Sequence, residues 1–347
     1  MATFVYPTAA EIMQIEQDKL PRLVEDDPIF DLFPMRDIDN HLLLWEQLDN
    51  YQGLQQIRGL NGEPGRVKQT KLSQFEMVPG TYGEFETVDE EELTVRRKAG
   101  TFGEPIDISD LVMMKQDKLL NRRLDRIRWI LWTLLTTGTF SVFAQQPGGG
   151  TITEHTDTFS LQTSSGSNWS TLSSATPLQD LRATKLLARG HSVLFGSGAK
   201  AFCNQKTANY ALNNTNANDL FGRRQDGLST INSIADVNKM IAGDDLPEIV
   251  PYDDGYISDG TDGNSAGTFV PWIPDRVVVI IGKRRSGVAL GEYRFTRNAN
   301  NPDLGPGPYT RVIDKGEETV PRTMEVHDGH NGGPVIYFPS GVIILST

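Results

Sequence analysis

The contrast between residues 64–103 and the residues after them is the feature that most constrains this chain. Apolar side chains in that stretch are spread thinly among charged ones, with turn signals at Pro79-Gly80 and Gly83. The pattern predicts an extended two-stranded arm, and such a ribbon by itself is marginally stable in water. We expect an arm of 40 residues without its own core to rest on a neighbouring copy, as in a subunit of a shell.

A long amphipathic helix is predicted directly after the arm, over residues 109–137. Asp107 or Ser109 is the expected N-cap, and Gly138 stands where a glycine commonly ends a helix. At 1.5 Å per residue the helix would be a rod roughly 43 Å long. Aliphatic side chains recur every three or four residues and form one apolar stripe, namely Leu120, Leu124, Ile127, Leu131 and Leu134.

The polar face of this helix is basic. Its cations are Lys115, Lys118, Arg122, Arg123, Arg126 and Arg128, against the carboxylates of Asp117 and Asp125. A face of this kind is most often solvated. Alternatively, it pairs with the acidic cluster at residues 89–92 of a neighbouring arm, or it faces enclosed nucleic acid. Because an exposed ion pair contributes about 0–1 kcal/mol, only repetition over many subunits would make such pairs important.

Composition narrows the class of protein. The 347 residues carry a net charge of −12 and 38% hydrophobic residues. The charge argues against a dedicated nucleic-acid binder, although a container for nucleic acid stays possible. The single cysteine, Cys203, excludes an intrachain disulfide framework and fits assembly in a reducing compartment. We see no signal peptide and no apolar run of the ~20 residues that cross a membrane, so we expect a soluble protein.

The first 62 residues are predicted to form an N-terminal arm that reaches an adjacent subunit. A short amphipathic helix spans residues 9–20 and ends at Pro21. An apolar segment follows over residues 29–34, and a strand containing Trp45 is expected over residues 41–48.

The rest of the chain alternates between ribbon-like and mixed patterns. Residues 139–169 have a period of two, which predicts a β-ribbon. From residue 177 we expect an α/β unit, and a glycine- and aspartate-rich surface loop over residues 253–267. The unit's helices are predicted over residues 178–188, 199–212 and 233–242, and its strands over 191–195, 249–252 and 277–281. A final apolar strand is expected over residues 334–345.

The sequence offers little that supports catalysis. Gly196-Ser197-Gly198, near Lys200, resembles a phosphate-binding turn but lacks a complete motif, so an ordinary strand-to-helix turn is expected. His327-Asp328-Gly329-His330 contains two histidines in an apparently flexible loop without a third metal ligand. Residues 259–264 resemble a calcium loop that lacks its final glutamate. We therefore predict no catalytic residue, cofactor site or metal site, and expect no enzyme.

The order of the parts resembles the tailed-phage major capsid proteins of the HK97-type fold, an α+β architecture. Within these the chain is most similar to the phage-lambda-type "major capsid protein E" family. The segments that carry the resemblance are VPGTYGEF from Val78, EELTV from Glu91, GEPID from Gly103 and NRRLDRIRWILWTLLTTG from Asn121. The resemblance spans nearly the whole chain, and it lies in the order and spacing of degenerate segments.

The resemblance implies a division into named parts. The N-terminal arm is residues 1–62, the E-loop is 63–102, and the axial domain is 177–286. The peripheral domain, with its spine helix, is 103–176 and continues over 287–347. Some family members cross-link their shells through a lysine and an asparagine. Lys68 and Lys71 lie in the arm here, but no partner is identifiable.

As implied by the resemblance, the protein would assemble with itself as pentamers and hexamers into an icosahedral virion shell around double-stranded DNA. A separate scaffolding protein, a portal and assembly in the host bacterial cytoplasm would be expected, and a decoration protein is a further partner that the resemblance allows. The predicted subunit contacts are Trp45, Phe75, Met77, Pro79, Tyr82, Phe85, Glu90, Glu91, Arg122, Arg123 and Arg126.

Three rival interpretations stay open at this point. An encapsulin-type compartment would share the fold and hold protein cargo. An α/β enzyme would have its active site near Ser197 or His191. A tail or adaptor protein would form rings or tubes instead of closed shells.

Overall fold

Two five-stranded sheets and one long helix organise the described part of the chain. The computed structural model describes these segments, together with a few single residues between them: 7–48, 72–97, 106–145, 151–187, 193–214, 233–260, 264–284, 289–301, 304–315 and 323–347.

In chain order, the helices are α1 (Ala9–Val24), α2 (Pro28–Leu32), α3 (Glu90–Val95), α4 (Ile108–Thr137), α5 (Pro177–Leu187), α6 (Gln205–Leu212) and α7 (Ile234–Gly243). The first nine strands are β1 (Met35–Asp37), β2 (Leu43–Leu48), β3 (Leu72–Met77), β4 (Gly80–Asp89), β5 (Thr139–Gln145), β6 (Thr151–Thr158), β7 (Gln162–Ser165), β8 (Val193–Leu194) and β9 (Lys200–Cys203). The later strands are β10 (Glu248–Pro251), β11 (Gly255–Ile257), β12 (Phe269–Pro271), β13 (Val277–Ile281), β14 (Lys283–Arg284), β15 (Gly291–Phe295), β16 (Tyr309–Asp314), β17 (Thr323–Ile336) and β18 (Val342–Ser346).

Helix α4 confirms the predicted long helix. The Asp107 side chain accepts a hydrogen bond from the Ser109 backbone N–H at 3.3 Å, which caps the first turn. Gly138 ends the helix at φ +74°, a left-handed conformation that favours glycine. Every member of the predicted apolar stripe is buried, because this face of the helix packs on the main sheet and the surrounding core.

The main sheet has the order β1-β15-β17-β16, with β4 also paired to β17. Strand β4 runs antiparallel to β17 from Gly80 opposite Gly332 to Asp89 opposite Thr323. The prediction that residues 64–103 form one arm without an intrachain partner is therefore wrong for β4. The strand is stabilised inside its own subunit by ladder hydrogen bonds and by α4, so few apolar side chains suffice.

The other half of the predicted arm belongs to a separate ribbon. Strand β3 pairs antiparallel with β2 of the N-terminal region, with Trp45 opposite Phe75 and Leu43 opposite Met77. Leu43, Trp45 and Met77 are buried, whereas Leu44 on the opposite face is 47% exposed. The ribbon therefore has one face on the core. Lys68 and Lys71 lie outside the described residues.

The N-terminal region also differs from its prediction. Helix α1 continues to Val24 with Pro21 inside it, and it lies on α4 and β16 of its own chain. The apolar segment at residues 29–34 is mostly the short helix α2. The predicted strand over residues 41–48 is confirmed as β2.

The second sheet has the order β10-β9-β13-β18-β7. It corrects the prediction of one helix over residues 199–212, because residues 200–203 form strand β9 and α6 begins only at Gln205. Asn204 caps that helix through a hydrogen bond from the Thr207 N–H at 2.8 Å. Cys203 thus lies in a buried strand. The expected final strand is likewise two strands, β17 and β18, one in each sheet.

Several smaller elements complete the comparison with the sequence. The ribbon expected over residues 139–169 is confirmed by the pair β5 and β6, while β7 joins the second sheet. The helices expected over residues 178–188 and 233–242 are α5 and α7, and the strands expected over 249–252 and 277–281 are β10 and β13. The predicted loop over residues 253–267 instead contains β11, paired with β12.

Candidate assembly surface

Acidic side chains of β4 face the basic side of α4. Arg122 Nη2 donates to Glu84 Oε1 at 2.9 Å and to Asp259 Oδ2 at 3.1 Å. Lys115 Nζ lies 3.0 Å from Glu86 Oε1, which also accepts from the Nζ of Lys118 at 3.0 Å. The acidic strand and the basic helix therefore pair within one chain, while Lys118 and Arg122 stay 61% and 42% exposed, so the face is both paired and partly solvated.

The carboxyl of Glu86 shows the effect of this pairing. Burial by itself would raise the pKa of Glu86, but hydrogen bonds from Lys115 and Lys118 outweigh burial and hold that pKa below its ordinary value. Lys115 shows the reverse case, because burial would lower its pKa while the bonds to Glu86 and Glu92 raise it. These pairs fix β4 on α4 in a charge-dependent way.

Arg123 does not lie on the basic face. Its side chain is buried and contacts Glu16 of α1 and Asp328 of β17. The expectation of Arg123 as a subunit contact is wrong, because its side chain is only 6% exposed and its guanidinium pairs with two carboxylates of its own subunit. The sequence contained a signal for this position, since Arg123 follows Leu120 by three residues and precedes Ile127 by four, which places it on the apolar stripe.

The other predicted contact residues separate into buried and accessible ones. Trp45 and Met77 are 7% and 2% exposed and belong to the main core, so their side chains have little surface left for a second subunit. Tyr82 stacks on His330, with ring centroids 5.1 Å apart, and burial raises its pKa to about 12. Pro79 is partly buried. The accessible residues of the set are Phe75, Phe85, Glu90, Glu91, Arg122 and Arg126.

Phe85 marks the outer face of the main sheet. Its side chain is 57% exposed and stacks on His327 of β17, with ring centroids 5.1 Å apart. His327 Nε2 in turn lies 3.0 Å from Glu325 Oε2. Phe85 thus places an exposed aromatic ring in the middle of a ten-residue strand. Single exposed apolar side chains are ordinary on protein surfaces, so Phe85 is a candidate contact because it belongs to the predicted contact set.

Phe75 gives a second, smaller exposed aromatic surface. It is 39% exposed and stacks on Trp45, with ring centroids 5.5 Å apart. Because Trp45 is anchored in the core, the Phe75 ring is held in place at the edge of the β2–β3 ribbon. Phe75 and Phe85 thus both lie on strands of the region predicted to contact neighbouring subunits.

The segments that resemble metal- or phosphate-binding motifs have ordinary places in the fold. His327-Asp328-Gly329-His330 lies on strand β17 and not in a flexible loop; His330 is buried and bonds the Tyr293 hydroxyl at 2.9 Å. Gly196-Ser197-Gly198 joins two strands, which corrects the expected strand-to-helix turn. Burial raises the pKa of the Cys203 thiol to about 12. His191 lies outside the described residues.

Two kinds of feature are absent from the described part of the chain. No group of three or more histidine, cysteine, aspartate or glutamate side chains there has an arrangement that could hold a metal ion. Among the helices given above, none is long and apolar enough to cross a membrane.

Comparison with known families decides the identity of the fold. The model of the family described as phage major capsid protein E matches residues 32–291, which is more than half of the chain. The chain belongs to the phage major capsid protein E family. It is therefore a structural protein of the phage capsid, and the family that the sequence resembles is confirmed.

Solved structures support the same fold for this capsid protein. The protein assigned as the capsid protein of a prophage of E. coli CFT073 has a TM-score of 0.55 at 13% identity, over 95% of this chain and 98% of that one. The likeness confirms the predicted HK97-type α+β fold.

Two further structures are less similar to this chain. A structure from Mycobacterium phage Patience has a TM-score of 0.43 at 13% identity, over 99% of this chain and 90% of that one. The SrpI encapsulin of Synechococcus elongatus PCC 7942 has a TM-score of 0.45 at 10% identity, over 100% of this chain and 91% of that one. No curated protein matches the sequence.

Proposed function

We propose that this capsid protein assembles as pentamers and hexamers into the icosahedral head shell of a tailed phage and encloses double-stranded DNA. The observation that carries the proposal is the match of residues 32–291 to the phage major capsid protein E family, and the exposed Phe85 ring on the outer face of the main sheet is the candidate contact. At about 25 cal/mol per Å², covering such rings gives a modest gain per contact. Closed symmetry repeats that gain around the whole shell.

The contact surface consists of the accessible members of the predicted set. Phe75 and Phe85 supply apolar area, while Glu90 and Glu91 on the exposed side of α3 supply charge at its margin. Interfaces commonly have an apolar centre with aromatic side chains and a polar rim. The division into N-terminal arm, E-loop, peripheral domain and axial domain is part of the same proposal.

The partners follow from the same assignment. A separate scaffolding protein would guide assembly in the host bacterial cytoplasm, a portal would occupy one vertex, and a decoration protein would bind the outside in some particles. The net charge of −12 suits a shell wall that adheres weakly to its DNA.

The deciding experiment combines particle analysis with one substitution. Purified protein is expected to form closed shells in electron micrographs, and particles from infected cells to contain nuclease-protected DNA of genome length. Phe85→Asp is expected to leave the subunit folded, because the side chain is mostly in water, but to prevent closed shells. Phe85→Leu, which keeps an apolar side chain, is the matched control and is expected to assemble.

Each rival predicts a different result. Particles with protein cargo and no DNA would indicate an encapsulin-type compartment. A small stable oligomer in size-exclusion chromatography would favour the enzyme hypothesis, and rings or tubes would favour a tail or adaptor protein. Normal shells from Phe85→Asp would show that Phe85 is not a contact residue, while leaving the family membership unaffected.

A further inference from the structure

Helix α1 is attached to the rest of the subunit with little apolar burial. Of its 16 residues only Ile12 and Glu16 are buried, and Ile12 packs in a cluster with Leu111 and Val112 of α4. Leu20 and Val24 add partly buried contacts. A surface helix ordinarily docks through a continuous apolar stripe. In α1 a carboxylate occupies one of the two buried positions.

Glu16 enters a buried polar cluster between α1, α4 and the main sheet. Its Oε2 accepts from Arg123 Nη2 at 2.7 Å, and its Oε1 accepts from Thr310 Oγ1 at 2.9 Å and from the Gln116 amide. Arg123 Nη1 donates to Asp328 Oδ1. The side chains of Glu16, Arg123 and Asp328 are 10%, 6% and 3% exposed, so all three charges are shielded from water.

The charges of this cluster do not balance. Two carboxylates share one guanidinium, which leaves one excess negative charge in a buried site when all three groups are ionised. Such a site is costly, and binding one proton removes the excess. The geometry of the cluster therefore favours a state with a single bound proton.

Among the described residues, Arg123 is the one cation that bonds Glu16 or Asp328. Glu84 of β4 adds negative charge near Asp328 but is itself paired with Arg122, and Tyr309 of β16 is the nearby phenol. Arg126 of α4 acts on His330 and Tyr82. On β17 itself, His327 pairs with Glu325, and burial lowers the pKa of His330 to about 3, which keeps it neutral. Burial raises the pKa of Asp328 to about 7; Arg123 opposes this shift, while Glu16 and Glu84 add to it.

We propose that Glu16, Arg123 and Asp328 form a proton-dependent attachment site for α1. With one proton bound the cluster is neutral and holds α1 against the spine helix α4 and strand β16. Loss of the proton leaves an uncompensated buried charge, and α1 separates more readily. This inference goes beyond the proposed function, because it concerns a conformational equilibrium within one subunit.

The direction of the pH effect follows from proton linkage. When α1 is separated, water reaches the cluster and the pKa of Asp328 returns toward its ordinary value of 3.8. The attached state thus binds the proton more tightly, so low pH favours attachment. Between roughly pH 4 and 7 the attachment constant is expected to fall up to about tenfold per pH unit, with no further change above that window.

Distance measurement between spin labels tests the proposal in the full-length subunit. Gln17 on α1 and Asn121 on α4 are both exposed, so Gln17→Cys and Asn121→Cys accept labels, while Cys203 is buried. Pulsed electron resonance at pH 5, 6, 7 and 8 gives the fraction of subunits with the short, attached distance. That fraction is expected to decrease from pH 5 to pH 7 and then to level off.

Two neutral variants and one control distinguish this cluster from general pH effects. Asp328→Asn and Glu16→Gln each remove the excess charge, and both are expected to keep α1 attached at every pH tested. Asp117→Asn removes the more exposed ion pair between Lys19 and Asp117, 2.6 Å apart, and is expected to keep the pH dependence. Circular dichroism verifies that each variant is folded.

The proposal is overturned by either of two results. One is an attached fraction that stays constant between pH 5 and pH 7 in the unsubstituted protein. The other is an unchanged pH dependence in whichever of the two neutral variants folds. Both results concern α1 alone, so neither would affect the proposal of shell assembly.

Discussion

The two five-stranded sheets of this capsid protein are stabilised by different kinds of interaction. The core around the second sheet is apolar, with Ala201, Val278, Ile280, Ile343 and Leu345 buried on its strands. The main sheet instead directs Asp328 and His330 inward, where Asp328 meets Arg123 and Glu16.

The two regions should respond differently to pH and salt. The free energy gained from apolar burial scales with the buried area and does not depend on protonation, so the second sheet should be equally stable at every moderate pH. Buried charges are stabilising only while they stay balanced. The main sheet, which also supports α1 and the proposed contact surface, is therefore the region whose packing depends on pH and salt.

The largest expected effect comes from adding a charge where the main sheet and spine helix are apolar. Leu124→Asp puts an unpaired carboxylate at a site that is 1% exposed, and we expect loss of folding. Circular dichroism and solubility are the measurements, with Asn121→Asp on the exposed side of α4 as the matched control. A soluble, well-folded Leu124→Asp protein would contradict the assignment of this helix face.

Removing the cation of the buried cluster is the next largest change. Arg123→Met leaves Glu16 and Asp328 together without a positive charge, and a loss of about 3–5 kcal/mol in the free energy of unfolding is expected. Urea titration measures this loss. Arg122→Met, one position along and partly exposed, should cost less than about 1 kcal/mol; equal losses for the two variants would remove the distinction between them.

A cavity in the second sheet tests its independence of pH. Ile280→Ala removes a fully buried side chain from β13, with an expected loss of about 2–5 kcal/mol, and Ile280→Val should cost about 0.5–1.5 kcal/mol. Urea titrations at pH 5 and pH 8 should give the same loss for each variant. A loss that changes with pH would show that the apolar sheet is coupled to the charged cluster.

The smallest expected effect belongs to the outer charge pairs. Lys118 is mostly exposed and contacts Glu86, so Lys118→Ala should cost about 0–1 kcal/mol. High salt should abolish that difference, because it screens exposed charges. Urea titration at low and high salt measures the free energy of unfolding. A loss that persists at high salt would contradict the assignment of Lys118 to an exposed ion pair.

The sequence could predict elements whose signal is local. Helix α4 was recognisable from the spacing of its leucines, with its cap at Asp107 and its end at Gly138. Strand β9 was misread because a short apolar run has no period that separates a buried strand from a helix. Arg123 was placed on the wrong face because its charge outweighed its position on the apolar stripe.

Local residue patterns therefore specify the long helix, the β-ribbon after it and the resemblance to the capsid family. Packing in three dimensions brings β4 beside β17, lays α1 on its own subunit, and joins Glu16, Arg123 and Asp328. Glu16 and Arg123 are 107 positions apart along the chain, and Arg123 and Asp328 are 205 positions apart. The pairing of such distant groups depends on packing geometry, which no local pattern of residues encodes.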